Sequence, residues 1–212
     1  MSVQADTRLR RLPERGSQDI ELACSIIDQA RICHVGFTLE EQPYVVPMAL
    51  ARDVHDILLH GSVVSRLMTN LAGGLPCCVT VTHLDGLVLA RSAFNSSMNY
   101  RSLMVFGHAV EVTEEQEKRQ GLDLLVEHLA PGRVADVRPS TRKEVNATSL
   151  LRLPIETFSI KSRNGPPGDP KSDLDEPAWA GVIPLAVTEG KPEAAPNLAP
   201  GIRLPDYLAG TD

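Results

Sequence analysis

The chain has 212 residues, 42% hydrophobic and 23% charged, the balance of a soluble globular protein able to bury one substantial core plus appendages. Its 21 Lys and Arg against 27 Asp and Glu give a net charge of −6, and no basic stripe could track a phosphate backbone, which argues against nucleic acid. No apolar run approaches the roughly 18 residues of a membrane span and the N-terminus lacks a signal-peptide core, so a cytoplasmic protein is expected; Cys24, Cys33, Cys77 and Cys78 lack C-x-x-C spacing and read as reduced core thiols.

Residues 1–16 are charged and broken by Pro13 and Gly16, the composition of an arm laid on a surface or a partner. Ile20, Ala23, Cys24 and Ile27 then take helical spacing, which predicts a short helix covering one side of the strands after it. From Arg31 the period changes to two, with Cys33, Val35, Phe37 and Leu39 alternating against their neighbours. A turn over 40–43 sends the chain back through YVVPMALA (44–51), a hairpin whose second strand contains Pro47. Proline lacks the ladder donor, so this strand is at an edge, bulged or locally unpaired, and a bulge would expose the backbone of Met48, Ala49 and Leu50 to a ligand.

Ile57, Leu58, Leu59 and His60 form a third short strand that runs into HGSVVSRLM (60–68). Small residues there lead into a helix with Val64, Leu67, Met68 and Leu71 on one face, ended by Gly73 and Gly74. Unpartnered N–H groups of a first helical turn, the positive end of its dipole, Ser65 and Arg66 could together hold one anion. Strand-to-helix turns also use such residues for capping alone, so both readings stay open on this stretch.

PCCVTVTH (76–83) alternates, Asp85-Gly86 signals a hairpin, and 87–90 start the return strand. After a polar stretch, YRSLMVFGHAVEV (100–112) is apolar on both faces, as in a central strand of a closed or doubly covered sheet. Thr113 with Gln116 and Thr141 with Glu144 are capping-box patterns. The first opens a helix carrying Leu122, Leu125, Val126 and Leu129 and ending before Pro131; the second opens one running to about Ser149. RLPIETFSIKS (152–162) is the last clear strand, followed by a Gly-, Pro- and Asp-rich loop, the lone Trp179, and a tail from Gly190 expected to be poorly ordered. The expected division is an arm over 1–16, a folded domain over 17–189 and a tail over 190–212. Antiparallel hairpins dominate, which excludes a doubly wound fold and favours a mainly β protein, a small barrel with helices at its openings.

Motifs that carry chemistry are few. His34, His83 and His108 fall in strand patterns as wall or core residues, His55 and His128 have no assigned role, and His60 lacks a sequence-near partner for a metal pair or triad. Neither G-x-S-x-G nor G-x-G-x-x-G occurs, so serine hydrolase and dinucleotide folds have no support. The segment NSSMNYRS (95–102) offers amide, hydroxyl, phenol and guanidinium groups suited to a heteroaromatic anion, or to a solvated turn.

Taken in order, YVVPMAL, ILLHGSVVSRLM, RSAFNSSMNYRSLMVFGHAVEV and WAGVIPL resemble the pyridoxamine 5′-phosphate oxidase-related, FMN-binding split-barrel proteins, particularly the branch that includes nitroimidazole-resistance proteins, over about residues 20–185. The resemblance implies a six-stranded antiparallel split barrel forming a homodimer, with one FMN in each of two grooves at the interface. It implies that the backbone of Pro47, Met48, Ala49 and Leu50 runs along the isoalloxazine ring. Ser65 and Arg66, with Leu67 in the same turn, would hold the phosphate, and His60, Gly61 and Ser62 would line the ribityl chain. Asn99, Tyr100, Arg101 and Ser102 would make ring or phosphate contacts, and Trp179 would approach from the second subunit. The chain departs from the family where Leu67 replaces a frequent second basic residue, and where Asn95-Ser96-Ser97 replaces a frequent His-His-Ser.

The implied activity is that of an FMN-dependent oxidoreductase passing electrons from NAD(P)H to a small acceptor such as a nitroaromatic or quinone. The alternatives are a non-catalytic module that stores or senses FMN, or holds haem or a deazaflavin, and a dimeric scaffold without a cofactor. A flavin brings its own redox chemistry, so the lack of an acid–base pair is in keeping with any of these. Oxidation of pyridoxamine phosphate itself is not expected, because that enzyme's arginine and histidine pair has no placed counterpart near the C-terminus.

Overall fold

In the computed structural model, which describes residues 5–209, the arm ends in a short strand β1 (Gly16–Ser17) lying along the folded domain. Helix α1 (Ile20–Asp28) comes next, burying Ala23, Cys24, Ile26 and Ile27 and capped by Asp19, whose carboxylate accepts the Glu21 N–H at 2.9 Å. The alternating stretch becomes β2 (Cys33–Leu39), with Cys33, Val35 and Phe37 facing inward. It returns as β3 (Gln42–Met48) through Glu40 and Glu41, both at positive φ, the turn conformation that suits the twist of paired strands. A second hairpin joins β4 (Ala51–Asp53) to β5 (Asp56–Ser62), which leads into α2 (Arg66–Ala72).

The long strands β6 (Pro76–Leu89) and β7 (Ser97–His108) come next, then β8 (Val110–Glu111), α3 (Glu115–Leu129), α4 (Arg133–Asp136) and α5 (Arg142–Ala147). A closing hairpin, β9 (Thr148–Pro154) and β10 (Thr157–Arg163), precedes a loop and β11 (Gly181–Pro184). All pairings are antiparallel. One sheet runs β1-β10-β7-β6-β2-β3, with β11 beside β6, and the other runs β4-β5-β9-β8.

The core lies between the sheets. Ile26, Ile27, Val35, Leu50, Ile57, Leu59, Met68, Leu71, Val79, Leu103, Val105, Leu151 and Ile160 form one buried cluster. A smaller one, Ala51, Leu58, Val112, Leu125 and Leu150, lies across the four-stranded sheet from it, beneath α3. Period-two alternation divides β5 and β9 between the two clusters. Arg152 ties α3 to this sheet, donating to Asp53 at 2.6 Å, Asp56 at 3.2 Å and Glu117 at 2.9 Å. No helix among the described residues is long and apolar enough to cross a membrane.

The mainly β, antiparallel architecture matches the sequence, with β3 at a sheet edge as Pro47 requires and β7 inside its sheet. The capping box of Thr141 and Glu144 is present in both halves. Several expectations are corrected. Eleven strands pair in two sheets among the described residues, several of them short strands at sheet edges in addition to those expected of the barrel. Asp85-Gly86 makes no hairpin; the register shifts between Leu84 and Gly86 and β6 continues. The Asp85 carboxylate is taken by Arg101, and β11 pairs along residues 86–89, so tertiary contacts override the local turn signal. Gly86 lets β11 approach closely there, since a Cβ would sit 3.1 Å from the Ile183 carbonyl oxygen.

The segment read as one strand over 152–162 is the β9–β10 hairpin, with the helix before it ending at Ala147 and not near Ser149. Helix α3 is capped by Glu114, which accepts from the Glu117 N–H, and not by Thr113. Val64 precedes α2 and is 85% exposed, off the apolar face assigned to it. The second face of β7 is open in the single chain, with Met104 exposed. The tail is not featureless: Tyr207 donates to Asp136 at 2.8 Å and accepts from Arg133 at 3.2 Å.

Candidate cofactor site

The anion turn is assembled by β5, α2 and β3. Close approach of β5 to α2 depends on Gly61, where a Cβ would lie 2.8 Å from Met68 Cγ. Beyond it the Ser65 N–H donates to the Ser62 carbonyl at 2.9 Å, closing the turn. Ser65 is the N-cap of α2, yet its hydroxyl makes no capping hydrogen bond, so the first-turn N–H groups and the Ser65 side chain remain available. The Arg66 guanidinium carbon lies 4.5 Å from the centroid of the Tyr44 ring, and Tyr44 in turn stacks on Phe37 at 5.3 Å with an interplanar angle of 16°. No carboxylate among the described residues pairs with Arg66. A positive charge is thus held in place by an aromatic face and left without a counter-ion.

Met48 ends β3 and Ala49 follows it, both half-buried, and Leu50 is fully buried, so Leu50 can offer a ligand only its backbone. Leu67 is 7% exposed and packs in the main core, so its side chain takes no part in the turn.

Asn99, Tyr100, Arg101 and Ser102 lie elsewhere. They sit at the start of β7, paired with β6 beyond the part of β6 that β2 covers. Asn99 is buried, accepting from Arg163 and from the Gly165 N–H at 3.2 Å. Arg101 makes a two-pronged ion pair with Asp85, at 3.0 and 2.8 Å, and donates to Gln29 at 2.8 Å. That guanidinium pulls the Asp85 carboxyl below its ordinary pKa. Both polar side chains are therefore spent on holding the hairpin and the following loop, as Arg91 and Asp169 also do at 2.7 Å. Trp179 is 66% exposed, its ring laid over Gly181, where a Cβ would meet it at 2.8 Å. Within one chain the sequence-derived candidates thus form two separate groups, one at Arg66 and one along the β6–β7 hairpin.

His60 belongs to neither. Its imidazole lines a cavity of about 200 Å³ with Leu122, Leu125, Val126 and Leu129 of α3. Its Nδ1 is buried without a hydrogen-bond partner, and burial holds its pKa below the ordinary value. Sequence reading found the four α3 residues as a helix face but not the space beneath them. Amphipathic spacing shows which side of a helix is apolar and not whether that side is filled.

One further surface bears on the site. On the side of the large sheet away from the core, the register aligns Pro47, His34, Thr80, Met104 and Ser159 in one row and Val45, Gly36, Cys78, Phe106 and Thr157 in the next. Neither row contains Asp, Glu, Lys or Arg. An uncharged sheet face of this extent, with Val45 and Met104 exposed, has the character of an interface core.

Antiparallel sheets packed around a main and a smaller core, with a strand-to-helix turn after β5 and the long β6–β7 hairpin, define a split-barrel protein. The chain belongs to the pyridoxamine 5′-phosphate oxidase family, whose model matches residues 19–162. It is similar to the FAD and haem binding protein from Mycobacterium smegmatis, at 37% identity over 92% of this chain and 95% of that one, with a TM-score of 0.88. It is also similar to the flavocytochrome Anf3 from Azotobacter vinelandii, at 36% identity over 95% and 94%, TM-score 0.90. A proposed 5-nitroimidazole antibiotic resistance protein from Bacteroides thetaiotaomicron matches at 25% identity over 69% and 85%, TM-score 0.57. No curated protein sequence matches the chain significantly.

Proposed function

We propose that this chain is a homodimeric flavoprotein that also carries haem, an electron-transfer protein of the flavocytochrome kind. The observation that carries the flavin half is Arg66, an unpaired guanidinium fixed over Tyr44 at a turn with free N–H groups. Arg66, Ser65 and the turn amides hold the riboflavin phosphate common to FMN and FAD, and the backbone of Pro47, Met48, Ala49 and Leu50 runs beside the ring. FAD is favoured over FMN by the Mycobacterium smegmatis relative, which is named for FAD and haem and shares 37% of its sequence over nearly its whole length.

The two groups of candidate residues meet when the uncharged sheet faces of two copies pack together. Trp179 of the partner subunit then closes the groove, which explains why so large a side chain is left in solvent in the single chain. When bound, the flavin supplies one- and two-electron redox chemistry, so the chain needs no acid–base pair of its own. Its residues bind and orient the cofactor, and the half-buried Met48 and Ala49 screen it from water. A reduced nicotinamide is the electron donor that accords with the family resemblance, and four free cysteines accord with a cytoplasmic site of action.

The test is the absorbance spectrum of the purified protein, with the extracted flavin identified by chromatography. Flavin and haem bands that bleach with NADH or NADPH and recover with an acceptor support the proposal. A colourless protein that takes up none of added FMN, FAD or hemin overturns it. For the dimer, Met104→Lys is expected to yield monomers by light scattering and to lower flavin content; an unchanged dimer rules out this face.

A further inference from the structure

Resting on the flavin half of that proposal and on its preference for FAD, we infer that the adenosine end of the cofactor lies in a pocket between α2 and the strands β8 and β9, where the Glu111 carboxylate accepts hydrogen bonds from the ribose hydroxyls. The pocket has a volume of about 350 Å³, within the roughly 300–1,000 Å³ common for small-molecule sites. Its first qualification is position. Val63, which lines it, belongs to the turn that leads to Arg66, and Thr69, which also lines it, donates to the carbonyls of Ser65 at 3.0 Å and Arg66 at 3.1 Å. Arg66 meets the large sheet at Tyr44, whereas the pocket meets the four-stranded sheet at Glu111 and Ser149. A diphosphate held by Arg66 therefore has the flavin groove toward one sheet and this pocket toward the other. FMN ends at its phosphate and leaves the pocket unused.

The second observation is the state of Glu111. No Arg, Lys or His among the described residues pairs with its carboxylate. Its one side-chain partner there is Ser149, whose buried hydroxyl donates to Oε1 at 3.1 Å. Asn99 and Ser149 are the buried polar residues among those described, and Asn99 is committed to the loop after β10. Ser149 thus steadies one oxygen of a carboxylate whose other oxygen faces no donor. An acceptor pair of that kind suits the two adjacent hydroxyls of a ribose, the use made of an acidic residue in other nucleotide sites. The same negative charge repels a phosphate at this end, so the occupant is an uncharged nucleoside.

The third is the remainder of the lining. Met68 is buried and forms part of the floor, and Val63 and Ala72 add hydrocarbon beside it. A planar base needs such an apolar surface on its face and polar groups at one end only. Val63 is 40% exposed in the chain without cofactor, and a base laid against it removes that surface from water. Carboxylate, buried hydroxyl and apolar floor thus fall in the order of ribose and base, leading away from the cation assigned to the phosphate.

The test uses the full chain equilibrated in turn with FAD, FMN and an FAD analogue built on 2′-deoxyadenosine, with bound and free flavin separated by ultrafiltration. The wild type is expected to bind FAD about tenfold more tightly than either FMN or the analogue, the worth of a hydrogen bond to a charged group. Glu111→Ala is expected to bind FAD and the analogue alike, about tenfold more weakly than the wild type binds FAD. Its FMN affinity should stay at the wild-type level, which also shows that the variant folds. Glu111→Gln, which keeps the shape and one acceptor oxygen, is expected to fall between the two. A Glu111→Ala variant that keeps the wild-type FAD affinity, or that loses FAD and FMN equally, overturns the role of Glu111. A wild type that binds FMN as tightly as FAD overturns the subsite and leaves the flavin reading standing; one that retains neither flavin overturns both.

Discussion

Along β5, Ile57 and Leu59 point into a cluster closed on all sides, whereas Leu58 and His60 point beneath α3, where packing stops short of filling the space. The same strand thus serves stability on one face and leaves room for a ligand on the other. The closed face is built from both sheets and helices α1 and α2. The open face is covered by α3, brought close at Gly121, where a Cβ would lie 2.5 Å from Leu150 Cδ2, and at its rim by Ser140, Glu144 of α5 and Thr148. A region that closes fully gains dispersion contacts from every side; one that ends at an unpartnered imidazole gives up some of them in return for space.

Four measurements probe this contrast between the faces. Leu59→Ala is expected to cost about 4 kcal/mol in a denaturant titration, because the closed face cannot collapse onto the void; a loss below about 1 kcal/mol would mean that this face is as loose as the other. Arg66→Ala acts on the flavin turn and not on the core. It should weaken flavin binding by about 2 kcal/mol, roughly thirtyfold in Kd, through lost charge-assisted hydrogen bonds, while its exposed stacking on Tyr44 contributes only about 0.5–1 kcal/mol to stability. Equal flavin content in variant and wild type would remove the phosphate assignment.

On the open face the sign reverses. His60→Leu, measured without added haem, is expected to stabilise the chain by about 1 kcal/mol, since it replaces an unsatisfied buried nitrogen with hydrocarbon. A destabilised variant would show that the imidazole already has a partner. The smallest effect is on pH. Because burial lowers the His60 pKa from 6.5, the unfolded chain takes up a proton that the folded one refuses. Its contribution to stability is full above about 6.5 and is lost as pH falls toward the folded value. Melting temperatures of wild type and His60→Leu should diverge further as pH drops from 7 to 5; parallel curves would place the imidazole in solvent.

Much of the closed face was legible in the sequence. Helical spacing in α1, alternation in β2 and the proline of β3 each reflect a local rule, and the structure keeps all three. The proposed anion turn was legible through Ser65 and Arg66, but the reason Arg66 stays in place was not, because Tyr44 lies 22 positions away on strand β3. Asp85-Gly86 misled for a similar reason: the bond from Arg101, 16 residues on, and the pairing of β11 decide its conformation. Alternation placed His60 opposite Leu59. It could not show a void beyond, since the helix that bounds the void comes some 60 residues later.

The prolines of β3 have a consequence for how this protein behaves in a crowded solution. Proline is tolerated in a strand where the N–H would point away from the ladder, and in an antiparallel strand alternate residues point the same way. Pro43, Val45 and Pro47 therefore turn their backbone toward the open edge, and of these three positions Val45 alone presents a donor there. An incoming strand from a stray chain finds one backbone donor there where an edge without proline would offer three. The edge beside the proposed flavin groove thereby stays free for a cofactor while resisting the end-to-end strand addition that leads to fibrils.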